Sequence, residues 1–333
     1  LKNMYGKAIL PPTPELLPGD ITTCGIITQP GTYTLTQDIT LQDANELGSY
    51  DYKDNNACFR IIGDNIILDG NGHTLQGVSP LTYNGIAIQI GSVPLRSDGK
   101  RVHPIDYQEG ITIRNFEHVA NFSKGIIAYE ASGLTIENND FTTERVSSAL
   151  PVGLSYSTHV TLKNNTITAY PGITALDINT DEVIVESILV ENNTITGEVR
   201  ISGGTGGIRT TNIRQNTIQA STGISIEENT QPLTVENNTI TAAATGVFVR
   251  DASNVLIQSN KIQHPYASAQ SGITILYNST NNTLQENTIE YGPTTLESEE
   301  YSGIFIVGDD TIQPSYTTLT KNNIQLTAPL SAL

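Results

Sequence analysis

Residues 233–251 read LTVENNTITAAATGVFVRD, and residues 187–199 read SILVENNTITGEV. The shared hexapeptide ENNTIT is the tightest case of a looser pattern, apolar–x–x–Asn–x–apolar, that runs down the chain. It occurs at 136–141, 162–167, 190–195, 213–218, 235–240, 257–262, 284–289 and 319–324. The polar position is always asparagine: Asn139, Asn165, Asn193, Asn216, Asn238, Asn260, Asn287 and Asn322. The intervals are 26, 28, 23, 22, 22, 27 and 35 residues. Spacing of that size marks a solenoid, in which each coil buries its apolar side chains against the next. Two upstream segments are degenerate copies: LDGNGH (68–73) keeps Asn71, and IRNF (113–116) puts Phe116 in the asparagine's place.

A second element follows each copy at a looser distance. It is a glycine, then a β-branched residue, then alternation: GIAIQI (85–90), GIIAYE (125–130), GITALD (172–177), GISIEE (223–228), GVFVRD (246–251), GITILY (272–277) and GIFIVG (303–308). Period-two alternation rich in Ile, Val and Thr is a strand signal. No apolar stripe of helical period runs through 60–325. Two or three short strands per 22–28 residues, separated by turns, coil into a right-handed parallel β-helix. About ten rungs stacked at ~4.8 Å give a rod roughly 50 Å long. The recurrent asparagine is expected at a corner, in the left-handed region that Asn tolerates. Its amide is expected to bond the same amide one rung away, satisfying groups that would otherwise be buried unpaired. The expected organisation is an extended arm over 1–20, a β-helix over 21–326 and a tail over 327–333.

Composition narrows the function. The 333 residues carry 17 basic against 34 acidic side chains, a net charge of −17. That excludes nucleic acid as a partner, since a phosphate backbone is held by clustered Lys and Arg. No apolar run approaches the ~20 residues that span a bilayer. Cys24 and Cys58 lie in no metal motif, and the five histidines complete none. The chain opens on Leu1 without a visible leader, which fits a processed chain as well as a partial one.

The repeats resemble the pectin-lyase-like superfamily of parallel β-helix proteins, in particular NosD-type and carbohydrate-associated (CASH) domains. TCGIITQPGTYTLTQDITL (23–41) followed by ACFRIIGDNIILDGNGHTLQG (57–77) looks like the first coils of archaeal cell-surface proteins of this type. The resemblance spans about residues 20–325. It implies the fold but not an activity, because this architecture carries lyases, hydrolases, epimerases and plain rods alike. It also implies a Cys24–Cys58 disulfide between the first two rungs, hence an oxidising, extracellular setting.

Aligning the second element on its glycine places Glu130, Asp177, Glu228 and Asp251 five residues on. Stacked on one face, they would form an acidic column beside Arg250. Such carboxylates either bind Ca²⁺ or shift one another's pKa and serve as acid and base. Polysaccharide lyases of this fold pair acidic Ca²⁺ ligands with a Lys, Arg or Tyr that acts as base, for which Arg250 and Tyr129 are the candidates. Asp177 and Glu228 are a weaker glycosidase pair. The bland alternative is acidic strand ends facing solvent, and GGIRTTN (206–212) breaks the column.

Two excursions interrupt the repeats. Residues 42–56 hold Asp43, Glu46, Asp51 and Asp54, and residues 91–110 hold Arg96, Lys100, Arg101 and His103. The first could hold a cation and the second an acidic sugar or subunit. Six N-x-[ST] sequons occur, at Asn121, Asn164, Asn192, Asn237, Asn278 and Asn281. Three of them use the residue before the ladder asparagine, which alternation turns outward. The first twenty residues hold four prolines and an apolar Ala8-Ile9-Leu10 run, with no amphipathic capping helix. An uncapped solenoid end is an open strand edge. The expected function is therefore a secreted, glycosylated, non-catalytic structural protein of a cell surface. It would bind copies of itself through the arm and the rod ends, building a filament, sheath or surface layer. A polysaccharide lyase or C5-epimerase is the first alternative. A carbohydrate-binding module is the second, weakened by the absence of Trp.

Overall fold

The computed structural model describes residues 14–41, 57–77, 85–91, 107–143, 149–180, 184–204, 206–265, 271–292, 302–308 and 316–326. All regular structure within them is β, and every strand pairing is parallel. The chain winds a three-sided prism. One face is a twelve-stranded sheet from Gly19–Ile21 to Thr318–Thr320, one strand per coil. Twelve coils at ~4.8 Å give a described rod of about 55 Å. The other two faces share a 21-stranded sheet, because Thr217–Glu227 and Thr239–Arg250 run through the corner between them without a break. The first coil begins at Glu15–Leu16, which pairs with Gly25–Ile27. Residues 15–20, expected in the arm, thus already belong to the solenoid. The rest of the arm, the tail, the basic loop residues 96–103 and the acidic excursion at 42–56 lie outside the described residues.

Register explains the repeat. Ile213, Val235, Ile257 and Leu284 stand one above another on adjacent strands and are wholly buried. Each such side chain is worth about 1.5–3 kcal/mol of removed apolar surface. The glycine of the second element is there for space. A Cβ on Gly223 would lie 2.4 Å from Ile240 Cγ2, and one on Gly246 at the same distance from Ile262 Cγ2. The isoleucine after each ladder asparagine fills the place where a side chain would stand.

The eight asparagines form one file. From Asn139 to Asn287, each donates its backbone N–H and its Nδ2 to Oδ1 of the next asparagine, at 2.9–3.1 Å. Each Nδ2 also donates to a backbone carbonyl one coil behind, as Asn193 does to Leu162 O at 2.9 Å. Asn139 through Asn287 are buried. The file starts where Phe116 stands in: its backbone N–H donates to Asn139 Oδ1, and its ring fills the space above Gly70.

Two expectations about the corner are corrected. The left-handed residue is not the ladder asparagine but the one before it: Asn138, Asn164, Asn192, Gln215, Asn237, Ser259, Glu286 and Lys321 all have φ between 54° and 57°. That residue makes the bend, and the next, back in ordinary conformation, points its amide inward. Asn71 does not extend the file. It is itself left-handed and exposed, and its Nδ2 donates to Leu35 O.

The outward side of the twelve-stranded face carries an alternating column. Asp69, Arg114, Glu137, Lys163, Glu191, Arg214 and Glu236 follow one another in register. Ion pairs close at 2.8 Å for Arg114–Asp69, 2.9 Å for Lys163–Glu137 and 2.7 Å for Arg214–Glu191. In-register stacking puts equivalent side chains about 5 Å apart, so like charges would repel at every coil. Alternation removes that repulsion.

Candidate functional site

The expected acidic column is not one column. The corner residues ending the third-face strands follow a chain of backbone bonds: Glu130 to Ser155 O, Tyr156 to Asn179 O, Thr180 to Ser202 O, Gly203 to Glu227 O, Glu228 to Arg250 O and Asp251 to Leu276 O. The stack therefore reads Glu130, Tyr156, Thr180, Gly203, Glu228, Asp251. Only Glu228 and Asp251 are neighbours, and Glu130 lies four coils away, about 19 Å. All three carboxylate residues are left-handed. Glu130 is buried, Glu228 is exposed, and Asp251 accepts a hydrogen bond from Asn278 Nδ2 at 2.9 Å.

Asp177 belongs elsewhere. Gly172, used to align it, is a turn residue at φ 82°. It is Leu176 that pairs with Val152, and Asp177 with Gly153 and Arg200. Asp177 thus sits on the flat of the strand, three positions before the corner. Tyr129 and Arg250 are also far apart. They share a column through Ser155, Asn179, Ser202 and Glu227, five coils or about 24 Å. No single sugar ring reaches both.

What the structure does gather is a cluster that the alignment missed: Asp177, Glu198, Arg200, Glu227 and Arg250. Arg200 lies beside Asp177 in register, and Glu198 is two residues before it on the same strand. Glu227 is held between Arg200, at 4.0 Å, and Arg250, whose Nη2 donates to Glu227 Oε2. Thr174 Oγ1 donates to Glu198 Oε2 at 3.4 Å. Burial pushes the Asp177 carboxyl above the usual range, against the opposing pull of Arg200. Burial raises Glu198 as well; Arg200 and the Thr174 bond oppose it, while the Glu227 and Asp177 charges add to it. Two carboxyls whose pKa is raised, beside guanidinium groups, are the kind of group a general acid uses. Arg250, however, spends its Nη2 donor on the Glu227 carboxylate, and a guanidinium offers donors rather than the lone pair a base requires. Among the described residues, no three His, Cys, Asp or Glu side chains are placed to hold a metal ion.

Cys24 and Cys58 form a disulfide with Cα atoms 4.7 Å apart, on neighbouring coils. A second polar corner was not legible in the repeat. Asn229 and Asn282 are wholly buried, and their Oδ1 atoms accept from Ile208 N–H and Val255 N–H at 2.9 Å. Ser157 and Ser279 do the same for Ala131 and Ala252. Ser279 and Asn282 lie three residues apart on one coil and serve different positions, so no fixed letter recurs at one offset.

A three-sided, parallel-stranded solenoid with an internal asparagine file is a parallel β-helix. A model described as "Right handed beta helix region" matches residues 105–243 and 210–326, about two thirds of the chain, and the protein belongs to that family. No curated protein matches it. Among solved structures it is similar to the A-module of mannuronan C-5 epimerase AlgE4 from Azotobacter vinelandii. The identity is 16% and the TM-score 0.51, over 97% of this chain and 89% of that one. It is similar to an exopolygalacturonase from Thermotoga maritima at 10% identity and TM-score 0.50, over 93% and 83%. The tailspike protein of E. coli bacteriophage HK620 follows at 11% and 0.50, over 96% and 65%. At these identities the likeness is one of fold. Among the described residues, no helix is long and apolar enough to cross a membrane.

Proposed function

We propose that the protein is an extracellular, non-catalytic rod of a cell surface that assembles with copies of itself. The observation that carries this reading is the asymmetry of the two ends. At the N-terminal end Leu16 and Ile21 are buried. At the C-terminal end Ile306 is 37%, Leu319 51% and Ile324 49% exposed, although Ile275, Leu284 and Ile289, one coil below, are wholly buried. Among the described residues, the core therefore runs out to an open strand edge. Strand addition by the N-terminal segment of a second copy, with its Ala8-Ile9-Leu10 run, would cover it head to tail. The disulfide supports the extracellular setting. The committed Arg250–Glu227 pair and the split carboxylates support a non-catalytic role over a lyase or epimerase.

Covering three half-exposed aliphatic side chains is worth about 3 kcal/mol. Association costs at least ~4 kcal/mol in lost freedom, so edge hydrogen bonds must supply the remainder and the contact is weak. Sedimentation velocity at rising concentration should show species beyond the monomer. Ile324→Asp or deletion of residues 1–13 should each return the protein to monomer. A wild-type chain that stays monomeric at the highest concentration would overturn the reading.

A further inference from the structure

The outward corner before the asparagine file carries a row of amides that the fold does not use. Asn164, Asn192 and Asn237 stand there, exposed and left-handed at φ 57°, 55° and 54°. Their backbone is held, but their side-chain amides donate to no described residue. Two positions on, Thr166, Thr194 and Thr239 are exposed on the same side, while the asparagine between points inward. Asn281 repeats the design at another corner. It is exposed at φ 54°, and the next residue, Asn282, is buried and bonded to Ala252 O and Val255 N–H.

We propose that Asn164, Asn192, Asn237 and Asn281 are acceptors of N-linked glycans, and that Asn121 and Asn278 are not. In the step, Nδ2 attacks the anomeric carbon of a saccharide carried on a lipid diphosphate. The N–C bond forms as the C–O bond to phosphate breaks. The lipid diphosphate leaves with the electron pair, and the Nδ2 proton passes to a base of the transferase. An acceptor amide needs open solvent and a reachable hydroxyl two residues on. The two excluded sequons lack this. Ser123, partner of Asn121, is buried with its hydroxyl donating to Gly85 O at 2.9 Å. Asn278 already donates Nδ2 to Asp251, and the Thr280 hydroxyl is bonded to Ser253 Oγ at 2.8 Å.

Three of the four modified residues would line one edge of the prism. Asn164 and Asn192 are one coil apart, about 5 Å, and Asn237 is two coils further, about 10 Å. Saccharides there would form a ridge that closes this edge to lateral contacts and leaves the rod ends free. The inference needs the extracellular setting proposed above but not self-association.

The test is secretion from a eukaryotic host that installs N-glycans, followed by enzymatic glycan release in heavy-oxygen water and peptide mass spectrometry. Labelled aspartate is expected at positions 164, 192, 237 and 281 and not at 121 or 278. The crowded pair 164 and 192 should show lower occupancy than 237. Thr194→Ala and Thr239→Ala should each remove one glycan mass while lowering the melting temperature by no more than about 1–2 °C, because neither touches the file. Label at 121 or 278 equal to that at 237, or no label at the four, overturns the proposal. Monomeric but labelled rods would refute the assembly reading alone; unlabelled filaments would refute this inference alone.

Discussion

Asn193→Ala tests the asparagine file where it is most regular. The native amide accepts from Asn165 N–H at 2.9 Å and Asn165 Nδ2 at 3.0 Å. It donates to Leu162 O at 2.9 Å, Glu191 O at 3.0 Å and Asn216 Oδ1 at 3.0 Å. Alanine removes all five. Some groups keep other partners: Asn165 Nδ2 still reaches Ile136 O and Lys163 O, and Asn216 Oδ1 still accepts from the backbone of residue 193. Two losses are not repaired, the buried Asn165 N–H and the bond to Leu162 O. At ~1–3 kcal/mol for each unsatisfied group, the expected cost is about 3 kcal/mol. With an unfolding entropy near 2.1 cal/mol/K per residue, a chain of this length should lose roughly 4 °C in melting temperature. Solenoids open locally, so hydrogen exchange by mass spectrometry should show faster exchange in 160–168 and 188–196 than at the ends. Thr194→Ala, on the outward side, is the control and should cost under about 1 kcal/mol. If Asn193→Ala melts within one degree of wild type, or no lower than the control, the file does not hold the coils.

Lys163→Glu would stack three carboxylates at Glu137, 163 and Glu191; it should cost about 1 kcal/mol at low salt and less as salt screens it. His264 is buried, stacked on Tyr291 with ring centroids 4.8 Å apart, and burial pushes its pKa below 6.5. The folded state then binds fewer protons than the unfolded one, so stability is full above pH 6.5 and falls as pH drops through that value. The melting temperature should decline less steeply over that range in His264→Gln. Asp177 and Glu198 shift the other way. Their ionised forms are penalised in the fold at neutral pH, so Asp177→Asn with Glu198→Gln should raise the melting temperature near pH 7 and change nothing below pH 4. Incubated with polyuronates and Ca²⁺, the wild type should give no ultraviolet-absorbing unsaturated uronate. Robust product lost in Arg250→Ala would reinstate the lyase reading.

Much of the architecture was legible because each coil repeats a steric demand. Ile195, Ile218 and Ile240 must face inward just after an inward amide, and Gly223 and Gly246 must leave room for the isoleucines of that register. What alignment could not show is the offset between coils of unequal length. Ala175, not Gly172, occupies the tight position in its coil, since a turn at 171–172 lengthens the path. That shift of three residues is what removed Asp177 from the corner and placed it beside Arg200. The left-handed corner was misassigned for a related reason. Two consecutive asparagines each suit a bend, and letters alone do not say which one turns. Asn229 and Asn282 escaped notice because bonds of their kind are made at more than one position of the coil, and by Ser157 and Ser279 with a shorter side chain.

The most direct measurement is electron microscopy of the concentrated native protein. The last described coil, open among the described residues, predicts strings of end-joined rods, with a repeat of about 55 Å or more set by the twelve described coils. Uniform single rods, with both tips bare at every concentration, would contradict it.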